Sequence, residues 1–177
     1  YFPDQQTENR VICASAPGFR GEFSVLMSDV LPSIHFGDMS GAQCFPLYVF
    51  EQKTHVDSLF DQDIADSKDG VSDTGLEHFN AAYSGEKISK EDLFYYVYGI
   101  LHSPDYRERF ADNLSKELPR IPAVKKAADF WAFSKAGRAL ADLHLNYETV
   151  EPYPLTIEAK GALTDADYRV EKMKFAK

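Results

Sequence analysis

The sequence predicts an α+β domain: a small, mostly antiparallel sheet of short strands packed with a cluster of three to four helices. Three observations point that way. Residues 1–56 break into short β-branched and aromatic runs punctuated by Gly and Pro. From Asp73 the apolar spacing changes to the three-and-four pattern of amphipathic helices. After Asn146 the pattern turns extended again. A chain of 177 residues, 44% hydrophobic and 27% charged, is the size of one globular domain and long enough to bury a core.

The N-terminal part reads as strands. Asn9–Ala16 holds Val11, Ile12 and Cys13 and is stopped by Pro17-Gly18. Phe23–Met27 and Ile34–Phe36 flank the turn signal at Asp29–Pro32. Cys44–Phe50 is the most strand-like run, and Pro46 pushes its start toward a sheet edge because proline donates nothing to a ladder. Residues 57–73 carry aspartates at 57, 61, 63, 66, 69 and 73. A calcium loop starting at Asp61 would place Ala65 fifth and Asp66 sixth, where an oxygen ligand and a glycine are needed. That pattern fails, and the stretch reads as an acidic, solvated linker.

Residues 74–147 read as the helical cluster. Thr74–Tyr83 predicts a short helix ended by Ser84-Gly85. Ser89-Lys90-Glu91-Asp92 resembles a capping box, with two carboxylates where the helix dipole favours them. Leu93, Tyr96, Val97, Ile100 and Leu101 then form one apolar stripe. Ser103 caps and Pro104 starts a second helix, in which Tyr106, Phe110 and Leu114 share a face. Pro119-Arg120-Ile121-Pro122 must cross between helices in extended form. A third helix, Val124–Leu145, is apolar around Phe130, Trp131 and Phe133, as a helix buried on two sides would be. In residues 148–177, Leu155–Ala159 and Tyr168–Phe175 read as strands returning to the sheet. The whole reads as one compact domain cut at both ends from a larger polypeptide.

Charge is unevenly placed. The net charge is −9, with all of the excess in residues 1–89, which hold 5 basic and 14 acidic side chains. Residues 90–177 hold 14 of each sign, and within 102–138 eight basic groups face five acidic ones. Such a weak basic patch suits a module that shares its affinity with other domains. Cys13 and Cys44 lack metal-ligand spacing and read as small buried hydrophobes. No signal peptide precedes Tyr1 and no apolar run nears the ~20 residues of a membrane span, so a cytoplasmic location without membrane contact is expected.

Catalytic motifs are missing. The chain has no G-x-x-x-x-G-K-[ST] phosphate loop, no G-x-S-x-G elbow and no H-E-x-x-H helix. It also lacks the Asn/Asp-Pro-Pro-Tyr/Phe clamp for a flipped adenine. His35, His55, His78, His102 and His144 are scattered, with no two at ligand spacing. Neither a catalytic residue nor a metal site is expected.

The segment Asp92–Tyr147 nevertheless resembles the C-terminal specificity region of the type ISP restriction-modification enzymes. So do the blocks NRVICAS (9–15), FSVLMSD (23–29), QCFPLY (43–48), Glu91–Phe110, Phe130–Tyr147 and YRVEKMKF (168–175). Together they cover most of the chain outside the aspartate-rich stretch. The resemblance implies a DNA target recognition domain of a single polypeptide whose nuclease, helicase and adenine methyltransferase lie elsewhere. It implies double-stranded DNA and the helicase and methyltransferase domains of the same polypeptide as partners. It implies no cofactor in this chain, with ATP, Mg and S-adenosylmethionine serving the parent protein. The alternative is a protein-interaction module coupling helicase to methyltransferase with little DNA contact.

Base-reading positions do not follow from the resemblance, so candidates rest on chemistry. Arg107 and Arg109 lie on a helix whose aromatic face is buried, which leaves them free for bidentate contacts to guanine. Lys116, Arg120, Lys125 and Lys126 cluster around the proline crossover as candidate phosphate anchors. Lys135 and Arg138, the remaining basic groups of 102–138, are further DNA-binding candidates with no assigned role. Arg20, between Gly18 and Gly21, sits on a loop able to enter a groove. The competing reading has these charges solvated and paired with Glu108, Asp112 and Glu117.

Overall fold

The computed structural model describes residues 1–4, 6–19, 21–33, 35–36, 41–51, 66–154, 161–166 and 169. The fold is α+β. Strands β1 (Val11–Ser15), β2 (Val25–Ser28) and β3 (Ala42–Pro46) form an antiparallel sheet in the order β2-β1-β3. All five residues of β1 are buried, as the apolar run Val-Ile-Cys-Ala allows only for a central strand covered on both faces. Its Ile12 and Ala14, with Val25 and Met27 opposite them on β2, join the main core.

The run Cys44–Phe50 is not one strand but two. It breaks at Leu47, whose N–H donates to Arg10 O at 2.7 Å and whose carbonyl accepts from Gly70 N–H at 2.7 Å. β4 (Tyr48–Glu51) leaves the first sheet and pairs with β5 (Asp66–Asp69). The buried Asn9 holds the corner: its amide donates to Tyr48 O at 2.8 Å and its carbonyl accepts from Tyr48 N–H at 3.0 Å. Pro46 takes an edge position on β3, as its missing donor requires. Asp66–Asp69 therefore corrects the linker reading of that stretch, because its backbone pairs with β4. Residues 57–65 of that stretch lie outside the described residues. His35 and Phe36 form a turn rather than a strand, with Phe36 N–H donating to Ser33 O.

Helix starts follow local chemistry. Ser72 caps α1 (Asp73–Ala82) through Gly75 N–H at 3.1 Å. Ser89 opens α2 (Lys90–Leu101) with a complete capping box, Asp92 N–H reaching Ser89 Oγ at 3.0 Å and Ser89 N–H reaching Asp92 Oδ2 at 3.1 Å. Lys90 ties β5 to the two helices through Asp69 at 3.1 Å and Asp73 at 2.6 Å. Ser103 and Pro104 begin α3 (Pro104–Arg109) as expected. The second helix does not run unbroken to Leu114: it is interrupted at Phe110 (φ −112, ψ 18) and resumes as α4 (Ala111–Leu114). The expected aromatic face survives, with Tyr106 and Leu114 buried and the Tyr106 and Phe110 rings 5.1 Å apart.

The last helix, α5 (Ala127–Leu145), starts three residues later than its apolar period suggests and ends in a 3-10 turn at Tyr147–Thr149. It packs along α2 rather than being wrapped: Phe130, Ser134, Gly137 and Ala141 are buried, while Ala128, Ala132, Lys135 and Ala139 are exposed. α2 is the wrapped helix, with Phe94, Tyr96, Tyr98 and Ile100 all buried around its circumference. The two helices touch backbone to backbone at Gly99 and Gly137. Strand expectations for 155–159 and 168–175 fall outside the described residues except at Arg169, which is not in a strand and whose N–H donates to Ala166 O at 3.3 Å.

Candidate nucleic-acid interface

A segment with two prolines cannot be helical, and its carbonyls need donors from elsewhere. Among the described residues, no backbone–backbone hydrogen bond involves residues 118–125. Side chains take over. Tyr106 on α3 donates to Arg120 O at 2.9 Å, Tyr96 on α2 donates to Pro122 O at 2.6 Å, and Tyr83 at the end of α1 donates to Val124 O at 2.7 Å. Val124 N–H returns a bond to Tyr96 Oη at 3.3 Å. The three carbonyls belong to every second residue, the period at which an extended chain presents them to one side. Burial raises all three hydroxyls above the ordinary tyrosine value, so they stay neutral donors.

The crossover so held presents its charges outward. Pro119, Ile121 and Ala123 are half-buried, while Arg120, Lys125 and Lys126 are exposed. Lys125 and Lys126, with Lys116 and Lys135, form no ion pair among the described residues. Arg120 is 86% exposed and bonds Glu117 at 3.0 Å, the surface pair the competing reading expected. Arg109 is exposed and lies over the Phe110 ring at 5.5 Å. Glu108 and Asp112 hold no cation among the described residues.

Two candidates are engaged within the domain, which for Arg107 corrects the expectation that it is free to leave the core. Arg107 turns inward: its Nε donates to Leu101 O at 2.7 Å, closing the C-terminal end of α2, and its guanidinium lies 5.8 Å from the Phe23 ring centroid. Burial lowers its pKa. Arg138 spans α5 to α2, meeting Glu91 Oε1 at 2.7 Å and Asp92 Oδ1 at 2.9 Å above the Tyr95 ring at 4.4 Å. Burial works against ionisation of both Asp92 and Arg138, but the Ser89 hydrogen bonds and Arg138 hold the Asp92 carboxyl low, and Glu91 and Asp92 hold the Arg138 guanidinium high. Arg20 lies outside the described residues. The tyrosine tethers escaped the sequence reading, although a signal existed: a tyrosine in a buried stripe must find an acceptor, and a proline-rich segment has unused carbonyls.

Over residues 1–177 the chain matches the Type ISP C-terminal specificity domain. It belongs to that family. Two solved structures resemble this specificity domain closely. One is a cryo-EM structure of a DrdV–DNA complex, with 34% identity, a TM-score of 0.73 and coverage of 94% of this chain and 15% of that one. The other is a nuclease-deletion mutant of the Type ISP restriction-modification enzyme LlaGI in complex with a DNA substrate mimic, with 33% identity, a TM-score of 0.64 and coverage of 86% and 12%. The specificity domain thus spans less than a sixth of either chain. No curated protein matches it.

Among the described residues of the specificity domain, no three His, Cys, Asp or Glu side chains are grouped to hold a metal, and no helix is long and apolar enough to cross a membrane. Cys13 and Cys44 face each other across β1 and β3 as free thiols 3.8 Å apart, and burial pushes the Cys13 thiol up to about 12. A buried polar cluster lies behind the Arg107 contact. Arg107 Nη2 donates to His102 Nδ1 at 3.3 Å, which leaves the proton on Nε2, a buried atom with no partner among the described residues. Tyr98 Oη meets His144 Nδ1, and the two histidine rings lie 5.4 Å apart.

Burial first, then the charges of Arg107 and His144, push His102 from 6.5 down to about 4. Between those values the unfolded chain binds a proton the folded chain refuses. The stability that His102 contributes is therefore full above about pH 6.5 and is lost as pH falls toward 4, and His144, lowered by burial as well, adds to the decline. Melting curves at stepped pH are expected to show this decline, and His102→Gln to make it shallower over that window, the part due to His144 remaining. A parallel decline in the variant would remove His102 as its source.

Proposed function

We propose that this specificity domain is the DNA target recognition module of a single-polypeptide restriction-modification enzyme. The nuclease, the ATP-dependent helicase and the adenine methyltransferase would lie in the rest of that polypeptide, where ATP, Mg and S-adenosylmethionine would bind. The observation that carries the reading is the full-length family match, joined by two similar structures described as complexes with DNA and with a DNA substrate mimic. Supporting it, the proline crossover offers unpaired, exposed lysines on a segment fixed to the core. Duplex DNA is the partner, the helicase and methyltransferase domains are neighbours in the same chain, and the location is cytoplasmic.

Within the site, Lys116, Lys125 and Lys126 serve as phosphate anchors and Arg109 remains the candidate for base contact. Each phosphate neutralised by a lysine contributes about −0.9 to the slope of log affinity against log salt. The full-length enzyme carrying Lys125→Ala and Lys126→Ala is expected to show a slope shallower by about 2, with affinity at 0.1 M salt lower by roughly 50- to 100-fold. The loss should be uniform across sequences, since phosphates carry no base identity. The coupling-module alternative is favoured by the net charge of −9 and by the internal engagement of Arg107 and Arg138. Unchanged DNA affinity and slope would decide for it.

A further inference from the structure

We infer that Tyr83, Tyr96 and Tyr106 are positioning residues for DNA binding, acting through the backbone of the proline crossover. The inference rests on the reading of Lys125 and Lys126 as phosphate anchors. Residues 118–125 have no ladder or helical bond among the described residues, and prolines 119 and 122 supply no N–H. Beside the packing of Ile121, Ala123 and Val124 on the core, their backbone is held by four hydrogen bonds, all to hydroxyls of these three tyrosines. The tyrosines come from three successive helices, so the crossover is referenced to the whole cluster rather than to one neighbour.

The rings themselves are built into the core. Tyr96 stacks on Phe130 with centroids 4.6 Å apart, Tyr83 lies 5.3 Å from the same ring, and Tyr106 packs on Phe110. Removing a hydroxyl therefore leaves the ring anchored and releases its carbonyl, and in the case of Tyr96 the Val124 N–H as well. The last tethered carbonyl, Val124 O, directly precedes Lys125 and Lys126, and Lys126 caps α5 with no side-chain cap bond. Freed of the tether, the two ammonium groups lose their fixed spacing on the phosphate backbone although no charge is removed.

The test uses the full-length enzyme and a duplex carrying its target site. Tyr83→Phe, Tyr96→Phe and Tyr106→Phe are compared singly with the Lys125→Ala, Lys126→Ala double variant, each over a salt series, with melting temperature recorded in parallel. Loss of one well-placed phosphate contact flattens the salt slope by about 1 and weakens binding by roughly tenfold at 0.1 M salt. That result is expected for Tyr83→Phe and Tyr96→Phe, and a smaller one for Tyr106→Phe, whose tether lies at Arg120. A merely structural role would lower the melting temperature and the active fraction while leaving the slope of the folded protein unchanged. Wild-type slopes in Tyr83→Phe and Tyr96→Phe beside a flattened slope in the lysine variant would overturn the positioning role alone. A wild-type slope in the lysine variant would instead overturn the phosphate-anchor reading on which it rests.

Discussion

Gly137→Ala lowers the melting temperature of the domain by roughly 6–12 °C. In an ordinary helix the same change would stabilise by about 1 kcal/mol, because alanine is the better helix former. Here the added methyl would sit 2.0 Å from Tyr95 O and 2.9 Å from Gly99 N. Both are backbone atoms of α2 and cannot rotate aside, so the helices must part. A Cβ on Gly99 meets the same obstruction from the other side, at 2.3 Å from Phe133 O. The expected loss is about 3 kcal/mol, the upper end for overpacking, because no flexible side chain absorbs the clash. Calorimetry or a circular dichroism melt reads the effect directly. A variant as stable as the parent would mean that α2 and α5 do not meet this closely.

Phe130→Ala should be at least as damaging, at about 3–5 kcal/mol. The side chain is fully buried and sits among Phe79, Tyr83, Tyr96 and Trp131, with centroid separations of 6.0, 5.3, 4.6 and 5.2 Å. Truncation leaves a hole that these large rings cannot collapse into without breaking the hydrogen bonds of Tyr83 and Tyr96. Phe130→Leu keeps most of the volume and should lose no more than about 1.5 kcal/mol. Trp131 is the single tryptophan and donates from its indole to Glu86 at 2.9 Å, so its emission reports on this corner. Urea titrations followed by tryptophan emission are expected to separate the two variants. Equal midpoints for them would place the energy of the cluster elsewhere.

Local signals in the chain proved reliable and long-range ones did not. Ser89 with Asp92 and Ser103 with Pro104 announced their helix starts because capping is settled within four residues. The stripe Leu93, Tyr96, Ile100 and Leu101 is buried as its period required, although Val97 is only partly so. The break at Leu47 was not legible, since CFPLYVF is apolar without interruption and the bonds that redirect it come from distant positions, Asn9 and Arg10 on one side and Gly70 on the other. For the site, exposure of Lys116, Lys125 and Lys126 followed from their flanking prolines and helix ends. The inward turn of Arg107 did not, because it depends on Leu101 O being left open where α2 stops. The pairing of Arg138 was not legible either: its partners Glu91 and Asp92 are 47 and 46 positions away, on the neighbouring helix.

The tethers of the crossover end on main-chain oxygens, a group that every amino acid carries. The side chains at Arg120, Lys125 and Lys126 can therefore be exchanged without disturbing the course of the chain beneath them. A recognition module built this way has a fixed track with replaceable type. The strength of the grip on a charged partner could be retuned by rewriting a handful of outward-facing letters while the press that holds them stays as it is.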